Sequence, residues 1–359
     1  MGKERVVVAM SGGVDSSVCA YLLKKQGYDV IGVTIKTWTN EECRDEKSKG
    51  CCSIRDIEDA RSVARQIRIL YYVMDLSTDF KDKVIDYFVN DYLEGRTPNP
   101  CIECNRHIKF GVLLEKAREL EASFIATGHY ARKGVDRQEE RFFIEEGVDA
   151  SKDQSYVLFG LTQEQLARTL LPLGGLTKSE VRALAQEIGL RVHDKPDSQE
   201  ICFVKSDYGQ FIERVASERL PGGGNLLDGS GRVIGRHQGS HQFTIGQRKR
   251  LGITRPSPYY VTRIDAEKNE VTVGSEEGLL RRRMTVGRMN WFSRRPPTEV
   301  MVKIRSKSPK TYATLAATAG EEVEVLFHSP QKAVTPGQAA VFYDGSRVLG
   351  GGWIKNTAV

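Results

Sequence analysis

The sequence has 359 residues, more than one compact core usually accommodates, so two or three domains are expected. Apolar residues make up 40% and charged residues 28% of the chain, a composition that excludes a disordered or fibrous protein. No stretch approaches the roughly 20 apolar residues of a membrane span, and the N-terminal residues lack the features of a secretory signal. We therefore expect a cytoplasmic protein without a membrane partner. Its seven cysteines are then expected to be catalytic or metal-binding rather than disulfide-bonded.

The first 205 residues alternate predicted strands with predicted helices. Short apolar runs predict strands at Arg5–Met10, Asp29–Lys36, Ile69–Met74 and Ser123–Thr127. Apolar residues at helical spacing predict helices from Val14 and over Asp56–Ile67, Phe80–Leu93 and Arg106–Leu120. A capping box at Thr177–Glu180 predicts the start of a further helix. This alternation predicts an α/β domain in which helices cover both faces of a parallel sheet.

The sequence beyond about residue 205 changes character. Residues Pro221–Asn225 predict a turn or hinge. Short strands separated by turn residues are then predicted at Tyr259–Ile264, Glu270–Val273, Val300–Ile304, Glu322–Phe327 and Ala339–Tyr343. We infer a first domain at residues 1–205, a small central domain at 206–282 and a C-terminal β-barrel at 283–359.

The positive charge of the chain is concentrated near the start of the predicted barrel. The formal net charge is only +6, but Arg281–Lys310 contains ten Lys or Arg residues and a single acid, Glu299. A region of one sign favours binding to a polyanion such as nucleic acid, since phosphate contacts supply most non-specific affinity. A solvated cationic surface is the alternative interpretation.

A segment rich in glycine and serine, Ala9–Ser17, lies between the first predicted strand and the first predicted helix. Gly12 and Gly13 let backbone N–H groups approach an anion, and the serine hydroxyls add donors at the positive end of the helix. The segment contains neither the Gly-Lys-Ser/Thr of a Walker A loop nor the spacing of a dinucleotide fingerprint. It therefore predicts a phosphate-binding loop of another kind, with a plain Gly-Gly turn as the alternative.

The cysteines differ in their predicted surroundings. Cys104 is predicted at or just before a helix N-terminus, where the helix dipole favours the thiolate. Cys202 is distant in sequence but belongs to the same predicted domain, and Cys19 on the first helix is predicted to be packed core. Three further cysteines lie in a charged loop, where spectator thiols are favoured over a metal site: Cys43, Cys51 and Cys52.

Several longer motifs occur together and in a fixed order. Residues Ser11–Ser16 resemble the pyrophosphate loop of the PP-loop ATP pyrophosphatases, whose pattern is Ser-Gly-Gly-x-Asp-Ser. The motifs that follow are Asn99–Asn105, Thr127–Tyr130, Ser151–Tyr156, Ser198–Phe203 and Phe243–Arg248 with Leu251-Gly252. This set resembles the bacterial tRNA-specific 2-thiouridylases over essentially the whole chain.

The resemblance implies a reaction. ATP bound with Mg²⁺ would adenylate the C2 oxygen of the wobble uridine, position 34, in tRNAs for Lys, Glu and Gln, releasing pyrophosphate. Cys202 would carry sulfur as a persulfide, Cys104 would be the second catalytic cysteine, and Asp15 would act near the Mg²⁺-bound pyrophosphate. The implied partners are tRNA, a sulfur-donor protein or inorganic sulfide, and a reductant that reopens a transient Cys104–Cys202 disulfide.

The resemblance also implies binding residues at matching positions. Those implied to contact ATP are Ala9, Met10, Ser11, Gly12, Gly13, Val14, Asp15, Ser16, Ile35 and Gly128. Those implied to contact tRNA are Asn99, Pro100, His129, Lys152, Asp153, Gln154, Arg305, Ser306 and Gln338. For His129 a packed core histidine is the alternative.

One position departs from the pattern of many relatives. The residue three before the catalytic cysteine is Asp in those relatives, whereas here it is Cys101, so the role of that acid does not carry over. Cys101, Cys104 and Cys202 together form a candidate ligand set for a [4Fe–4S] cluster with one open iron, an alternative to the persulfide. Zinc is a weaker alternative for three thiolates.

Two other function classes remain open at this point. One is a different PP-loop ligase that modifies RNA, although it gives no reason for the paired Cys104 and Cys202. The other is a non-catalytic RNA-binding Fe–S protein, against which the intact loop Ser11–Ser16 argues.

Overall fold

The computed structural model describes residues 3–37, 54–197, 201–204, 207–253, 258–317 and 321–358. Cys43, Cys51 and Cys52 lie outside these ranges, as do residues 198–200 of the Cys202 motif. Within the described ranges, no helix is both long enough and apolar enough to cross a membrane.

A five-stranded parallel sheet forms the centre of the N-terminal domain. In spatial order its strands are β3 (Leu70–Asp75), β2 (Asp29–Lys36), β1 (Arg5–Ala9), β4 (Phe124–Ala126) and β7 (Thr169–Leu170). The side chains of Val6, Val7 and Val8 on the central strand are fully buried, as a strand covered on both faces requires. The predicted α/β domain is confirmed, and only β7 was missed, because two residues show no periodicity.

Helices cover both faces of this sheet. They are α1 (Val14–Lys25), α2 (Ile54–Gln66), α3 (Ser77–Phe80), α4 (Asp86–Leu93), α5 (Pro100–Glu103), α6 (Leu113–Glu119), α7 (Gln163–Ala167) and α8 (Lys178–Glu187). π-Helical segments at Lys81–Ile85 and Cys104–Val112 join α3 to α4 and α5 to α6, and Ser155–Leu158 is a 3₁₀ turn. The predicted capping box is confirmed, since the N–H of Thr177 donates to Glu180 Oε2 at 2.7 Å and the N–H of Glu180 donates back to Thr177 Oγ1.

The central region contains a mixed four-stranded sheet. Its elements are α9 (Tyr208–Val215), β8 (Gly224–Leu227), β9 (Val233–His237), β10 (Tyr260–Asp265) and β11 (Glu270–Gly274), with 3₁₀ turns at Ser217–Arg219 and Ser240–Gln242. The spatial order is β10-β11-β8-β9. The turn predicted at Pro221–Asn225 is partly wrong, because Gly224 already pairs in β8. A Cβ at Gly224 would lie 2.0 Å from the carbonyl oxygen of Asn269, so the strand needs glycine there.

Six antiparallel strands close into a barrel at the C-terminus. They are β12 (Leu280–Trp291), β13 (Glu299–Lys303), β14 (Thr311–Ala317), β15 (Val323–Lys332), β16 (Ala339–Asp344) and β17 (Arg347–Ala358), after a 3₁₀ turn at Glu276–Leu279. The order is β12-β15-β14-β13-β16-β17, and pairing of β12 with β17 closes the circle. The predicted barrel is confirmed. Strands β12, β14 and β17 were not predicted; Arg281–Arg283 in β12 and Gly350–Gly352 in β17 hide the apolar alternation.

A hairpin of the N-terminal domain extends the barrel sheet. Its strands are β5 (Ala131–Asp136) and β6 (Arg141–Glu146), and β6 pairs with β17 where Glu145 faces Arg347. One apolar core also spans both units, since Val7 and Phe110 belong to the same cluster of buried side chains as Tyr343 and Trp353. The barrel is therefore fixed against the parallel sheet, and a cavity lies between them.

Candidate active site

One cavity of about 1210 Å³ collects most of the residues that the sequence singles out. The predicted site residues on its wall are Ala9, Met10, Ser11, Gly13, Val14, Asp15, Ser16, Ile35, Pro100, Cys101, Cys104, Gly128, His129, Lys152, Asp153, Gln154, Cys202 and Ser306. Four predicted residues are not on the wall: Gly12, Asn99, Arg305 and Gln338. The cavity opens at the carboxyl ends of β1, β2 and β4, the edge where parallel α/β sheets bind ligands.

The loop Ser11–Ser16 is shaped by its own hydrogen bonds. The N–H of Ser11 donates to Ser16 Oγ at 3.1 Å, and the Ser16 hydroxyl donates to the carbonyl of Gly13. Gly12 has a φ of +73°, a conformation in which a side chain would be strained. The turn directs the first residues of α1 toward the cavity, an arrangement suited to an anionic ligand.

Two neighbouring segments hold this loop in place. A Cβ on Gly128 would lie 2.9 Å from the N atom of Ser16, so only glycine permits the approach of the segment after β4. Lys195 donates from Nζ to the Gly12 carbonyl at 2.9 Å and to Asp56 Oδ1 at 2.7 Å. Gly12 is therefore a structural element of the loop, while its neighbours face the cavity.

An ion-pair network surrounds Asp15. Lys178 Nζ lies 2.7 Å from an oxygen of Asp15 and 2.7 Å from an oxygen of Asp197, and the Tyr130 hydroxyl donates to Asp15 at 2.7 Å. Burial alone would raise the pKa of Asp197, but hydrogen bonds from Lys152 and Lys178 outweigh it and hold that pKa below its usual value. Lys178 thus bridges two carboxylates beside the phosphate loop.

Sequence reasoning missed Lys178, Lys195 and Tyr130. In the sequence, Lys178 belongs only to the Thr177–Glu180 capping box. A capping box predicts the start of a helix and gives no indication of a ligand-binding site. Tyr130 is the last residue of the Thr127–Tyr130 motif but was given no role, and Lys195 lies outside all of the motifs. Their roles follow from tertiary contacts with Asp15 and Gly12.

The helix that carries the cysteines begins earlier than predicted. Asn99 caps it by accepting a hydrogen bond from the N–H of Cys101 on Oδ1, and Pro100 occupies the first helical position. The prediction that Cys104 lies at the helix N-terminus is therefore wrong, because Cys104 lies one turn further along. Cys101 occupies the first turn instead and is exposed.

Cys104 and Cys202 lie against one apolar cluster. The side chains of Leu76, Phe80, Val84 and Ile108 form its buried part. Both cysteines are partly buried, and Cys202 lies in a turn closed by the N–H of Val204 and the carbonyl of Ile201. Cys19, as predicted, is packed core: it is fully buried on α1, and burial raises the pKa of its thiol.

His129 is a buried residue at the cavity wall. Its side chain is nearly enclosed, and Nδ1 lies 2.7 Å from the hydroxyl of Thr127. Burial, followed by the charge of Lys109, holds the pKa of His129 well below its ordinary value. The imidazole is therefore neutral at pH 7 and presents an uncharged surface to the cavity.

This buried histidine predicts a pH effect on stability. The unfolded chain protonates His129 below about pH 6.5, whereas the folded chain does not, so stability falls as the pH falls through that value. Between pH 7.5 and pH 5.5, the wild type should lose about 1 kcal/mol more unfolding free energy than His129→Gln. Urea denaturation of both proteins at the two pH values measures this. Equal losses would mean that His129 is protonated in the folded protein.

The triplet Lys152–Gln154 is largely occupied by internal contacts. Lys152 pairs with Asp197 at 2.7 Å, and Gln154 Oε1 accepts the N–H of Tyr130. The Asp153 carboxylate is only 4% exposed and accepts hydrogen bonds from the N–H groups of Gly147 and Ser155. Asp153 is thus engaged by internal contacts at the cavity wall, and the direct tRNA contact that the resemblance implies stays a prediction.

Arg305 and Gln338, two predicted tRNA contacts in the C-terminal region, form hydrogen bonds to other segments of the chain. Arg305 donates to the carbonyl of Ala333 at 2.7 Å and to the hydroxyl of Thr335 at 2.9 Å. Gln338 donates to the carbonyl of Thr97 at 2.9 Å, just before the capped cysteine helix. These bonds engage both side chains internally, whereas Ser306 is exposed at the cavity.

A metal centre needs several ligating side chains in one place. Among the described residues, no group of three or more His, Cys, Asp or Glu side chains is close enough together to hold a metal ion. Cys101, Cys104 and Cys202 share the cavity wall, but in this arrangement they do not form a ligand set for an iron–sulfur cluster or for zinc.

Family models match three successive parts of the chain. A tRNA methyl transferase HUP domain matches residues 4–206. A tRNA methyl transferase PRC-barrel domain matches residues 209–275, and an aminomethyltransferase beta-barrel domain matches residues 281–354.

Several relatives match the chain along nearly its full length. The tRNA-specific 2-thiouridylase MnmA of Geotalea uraniireducens is 52% identical, over 99% of this chain and 96% of that protein. The proteins of the same name from Symbiobacterium thermophilum and Clostridium acetobutylicum are 51% and 48% identical, each over 98% of this chain and over 92% and 99% of their own lengths. With this identity over both full lengths, and with a phosphate loop and two cysteines on one cavity, the chain belongs to the tRNA-specific 2-thiouridylase family.

Proposed function

We propose that the protein replaces the C2 oxygen of the tRNA wobble uridine with sulfur, using ATP to activate the oxygen and Cys202 to carry the sulfur. One observation supports this most strongly: Ser11–Ser16, Cys104 and Cys202 line the same cavity. A reaction with an adenylated intermediate needs both parts close together, since the activated base must meet sulfur before it meets water.

The first step is activation of the base. The uracil C2 oxygen attacks the α-phosphorus of ATP, and the bond from that phosphorus to the bridging oxygen of the β-phosphate breaks. The pyrophosphate leaves from the region of Ser11–Ser16, whose backbone N–H groups and helix end stabilise its charge. Asp15, the carboxylate within this loop, lies on the cavity wall and would help to hold a Mg²⁺ ion bound to the ATP phosphates, which would neutralise charge on the pyrophosphate.

The ion pair and hydrogen bond of Asp15 fix the position of its carboxylate. Lys178 and Tyr130 hold this carboxylate in one position before any ligand arrives. We infer that Lys178 fixes Asp15 toward the nucleotide and that Asp197 holds Lys178 from the other side. All three act by position and charge, with no proton transferred among them.

The second step delivers sulfur. With a persulfide on Cys202, the Cys104 thiolate attacks Cys202 Sγ, the sulfur–sulfur bond of the persulfide breaks, and hydrosulfide leaves. The hydrosulfide adds to C2 of the adenylated uracil and AMP departs with the former C2 oxygen, leaving the thiocarbonyl. The two thiols are oxidised to a Cys104–Cys202 disulfide, which an external dithiol must reduce before the next round.

A cluster mechanism is less well supported. A [4Fe–4S] cluster with three protein ligands needs three thiolates arranged at once. The described side chains contain no such group, although the three cysteines share a cavity. The persulfide mechanism requires only two cysteine sulfur atoms, those of Cys104 and Cys202, to meet, so it fits the observed placement better.

The proposed tRNA contacts surround the cavity mouth. Pro100, His129 and Ser306 lie on its wall, and the barrel brings the exposed Lys307 to the same place. A single uridine splayed out of an anticodon loop would enter between them, which is how proteins usually read RNA bases. Asn99, Arg305 and Gln338 would shape this entrance through the contacts described above.

Nucleoside analysis tests the proposal. The protein is incubated with an unmodified tRNA, Mg²⁺, ATP and a cysteine desulfurase with cysteine, which supplies persulfide sulfur, and the digested tRNA is analysed by mass spectrometry. We expect 2-thiouridine at the wobble position, none without ATP, and none in a tRNA with cytidine there. Iron is measured on an anaerobically purified sample of the same protein. Absence of the thionucleoside would refute the proposed function, and activity that follows iron content would refute the persulfide.

A further inference from the structure

We propose that Cys101 is the resolving thiol of this enzyme: it attacks the Cys104–Cys202 disulfide and transfers the oxidation to a Cys101–Cys104 disulfide at the protein surface. This inference rests on the proposed function, because the Cys104–Cys202 disulfide forms only if Cys202 delivers sulfur. It assigns a chemical role to the one cysteine that replaces the Asp of many relatives.

Exposure separates the three thiols. Cys101 is exposed, whereas Cys104 and Cys202 are partly buried. Cys104 and Cys202 pack against the same apolar side chains, among them Phe80 and Ile108. A disulfide between Cys104 and Cys202 would therefore be shielded from a protein-sized reductant, and a disulfide that includes Cys101 would be accessible to it. Access to the attacked sulfur is one of the factors that set the rate of thiol–disulfide exchange.

The backbone places Cys101 beside Cys104. The N–H of Cys104 donates to the carbonyl of Cys101, so the two residues are three apart on one helical turn. Side chains at this spacing are neighbours with about 5–6 Å between Cβ atoms, and a disulfide needs about 3.5–4.5 Å. The remaining gap is small, and Cys-X-X-Cys pairs at helix starts form reversible disulfides in oxidoreductases.

The local helix geometry suits a movement of this size. Cys104 is the first residue of the π-helical segment that ends at Val112, so the regular α-helical pattern ends at Glu103, within the Cys101–Cys104 turn. Cys101 sits at the solvent side of this turn, and its side chain belongs to none of the apolar clusters in the described part of the chain. Drawing its sulfur toward Cys104 therefore disrupts no core packing.

The placement of the three thiols also agrees with disulfides that form one after another. Disulfide exchange brings two sulfur atoms together at each step, whereas a cluster requires three together. All three cysteines line the cavity, yet they do not group as metal ligands among the described residues. The arrangement is thus better suited to a relay in which Cys104 is the shared partner.

The exchange balances in atoms and electrons. The Cys101 thiolate forms a bond to Cys104 Sγ, the Cys104–Cys202 bond breaks, and Cys202 leaves as a thiolate that is ready to accept sulfur again. No net oxidation occurs in this step. A dithiol protein of the thioredoxin class, or a small dithiol, then reduces the Cys101–Cys104 disulfide with two electrons and two protons and becomes oxidised itself.

Disulfide mapping without tRNA tests the exchange separately from thiolation. The full-length protein is oxidised with one equivalent of diamide, free thiols are alkylated in acid, and peptides are identified by mass spectrometry. We expect Cys101–Cys104 as the main disulfide with Cys202 alkylated. In Cys101→Asp, which carries the residue of many relatives, we expect Cys104–Cys202. A wild-type protein that yields mainly Cys104–Cys202 with Cys101 alkylated would overturn the inference.

Turnover provides the second readout. With a thioredoxin-class reductant, Cys101→Asp should show a burst of thiouridine followed by later turnovers slowed on the order of tenfold relative to wild type, since a shielded disulfide reacts slowly. Dithiothreitol, which is small enough to enter, should largely remove this difference. Equal rates with the protein reductant would overturn the resolving role. Failure of the wild type to form thiouridine even in the first turnover would instead refute the proposed function.

Discussion

Cys202→Ser is expected to release pyrophosphate from ATP in the presence of tRNA while forming no thiouridine. We expect the substitution to leave the loop Ser11–Ser16 in place, because Cys202 packs against the Phe80 cluster and is not part of that turn. A serine hydroxyl cannot hold a persulfide, so sulfur transfer should fall on the order of 10³-fold or more, as for loss of other nucleophiles. On the same sample, pyrophosphate release measures activation of the base, and mass analysis of the nucleosides measures sulfur transfer.

Cys104→Ser should give a different intermediate. We expect it to accept labelled sulfur on Cys202 and to adenylate the tRNA, but to leave the sulfur on the protein. Cys19→Ala removes a thiol buried in α1, away from the cavity, and serves as the control: it should be less stable but should thiolate normally. Normal thiolation by either cavity variant would contradict the role given to that cysteine.

Gly12→Ala should abolish activation of the base. A Cβ there would lie 2.2 Å from the carbonyl oxygen of Asp56, and φ of +73° adds backbone strain. The loop must therefore shift relative to α2 and to Lys195, which donates to the Gly12 carbonyl. Displacement of a catalytic loop by about 1 Å costs on the order of 10²-fold in rate, so we expect pyrophosphate release to fall by at least that factor.

Gly27→Ala is the matched control for this variant. Gly27 also has a left-handed φ, +97°, but a Cβ added there would meet no atom of the described residues within 4 Å. The Gly27→Ala variant should lose roughly 1–2 kcal/mol of unfolding free energy, the cost of a left-handed residue with a side chain. It should retain the wild-type rate of pyrophosphate release. Equal loss of activity in both variants would show that general destabilisation, and not the loop's position, explains the Gly12 result.

Much of the fold was predictable because local patterns determine it. The strand at Asp29–Lys36 has the predicted bounds, and the Thr177–Glu180 capping box forms as expected. The barrel was predicted from three alternating strands, but β12 escaped because Arg281–Arg283 interrupt its apolar alternation. Closure of the barrel depends on pairing β12 with β17, whose partners are 59 (Trp291 and Gly350) to 75 (Arg283 and Ala358) positions apart, and no local pattern reveals this.

The site was predictable where a motif had a fixed backbone shape. Ser11–Ser16 connects β1 to α1 as expected and includes the first turn of α1, since glycine and serine at its start favour that turn. The start of the cysteine helix was misplaced, because the pattern of apolar residues begins later than the Asn99 cap and Pro100. Lys178 and Lys195 depend on contacts across more than 130 residues, so only the folded chain identifies them.

The most direct test of the account follows one oxygen atom. A tRNA whose wobble uridine carries ¹⁸O at C2 is thiolated by the full-length protein in unlabelled water, and the AMP released is analysed by mass spectrometry. If ATP activates the C2 oxygen and sulfur displaces it, the AMP carries the ¹⁸O in an amount equal to the thiouridine formed. AMP without ¹⁸O, alongside normal thiouridine, would contradict adenylation of the base and with it the central claim.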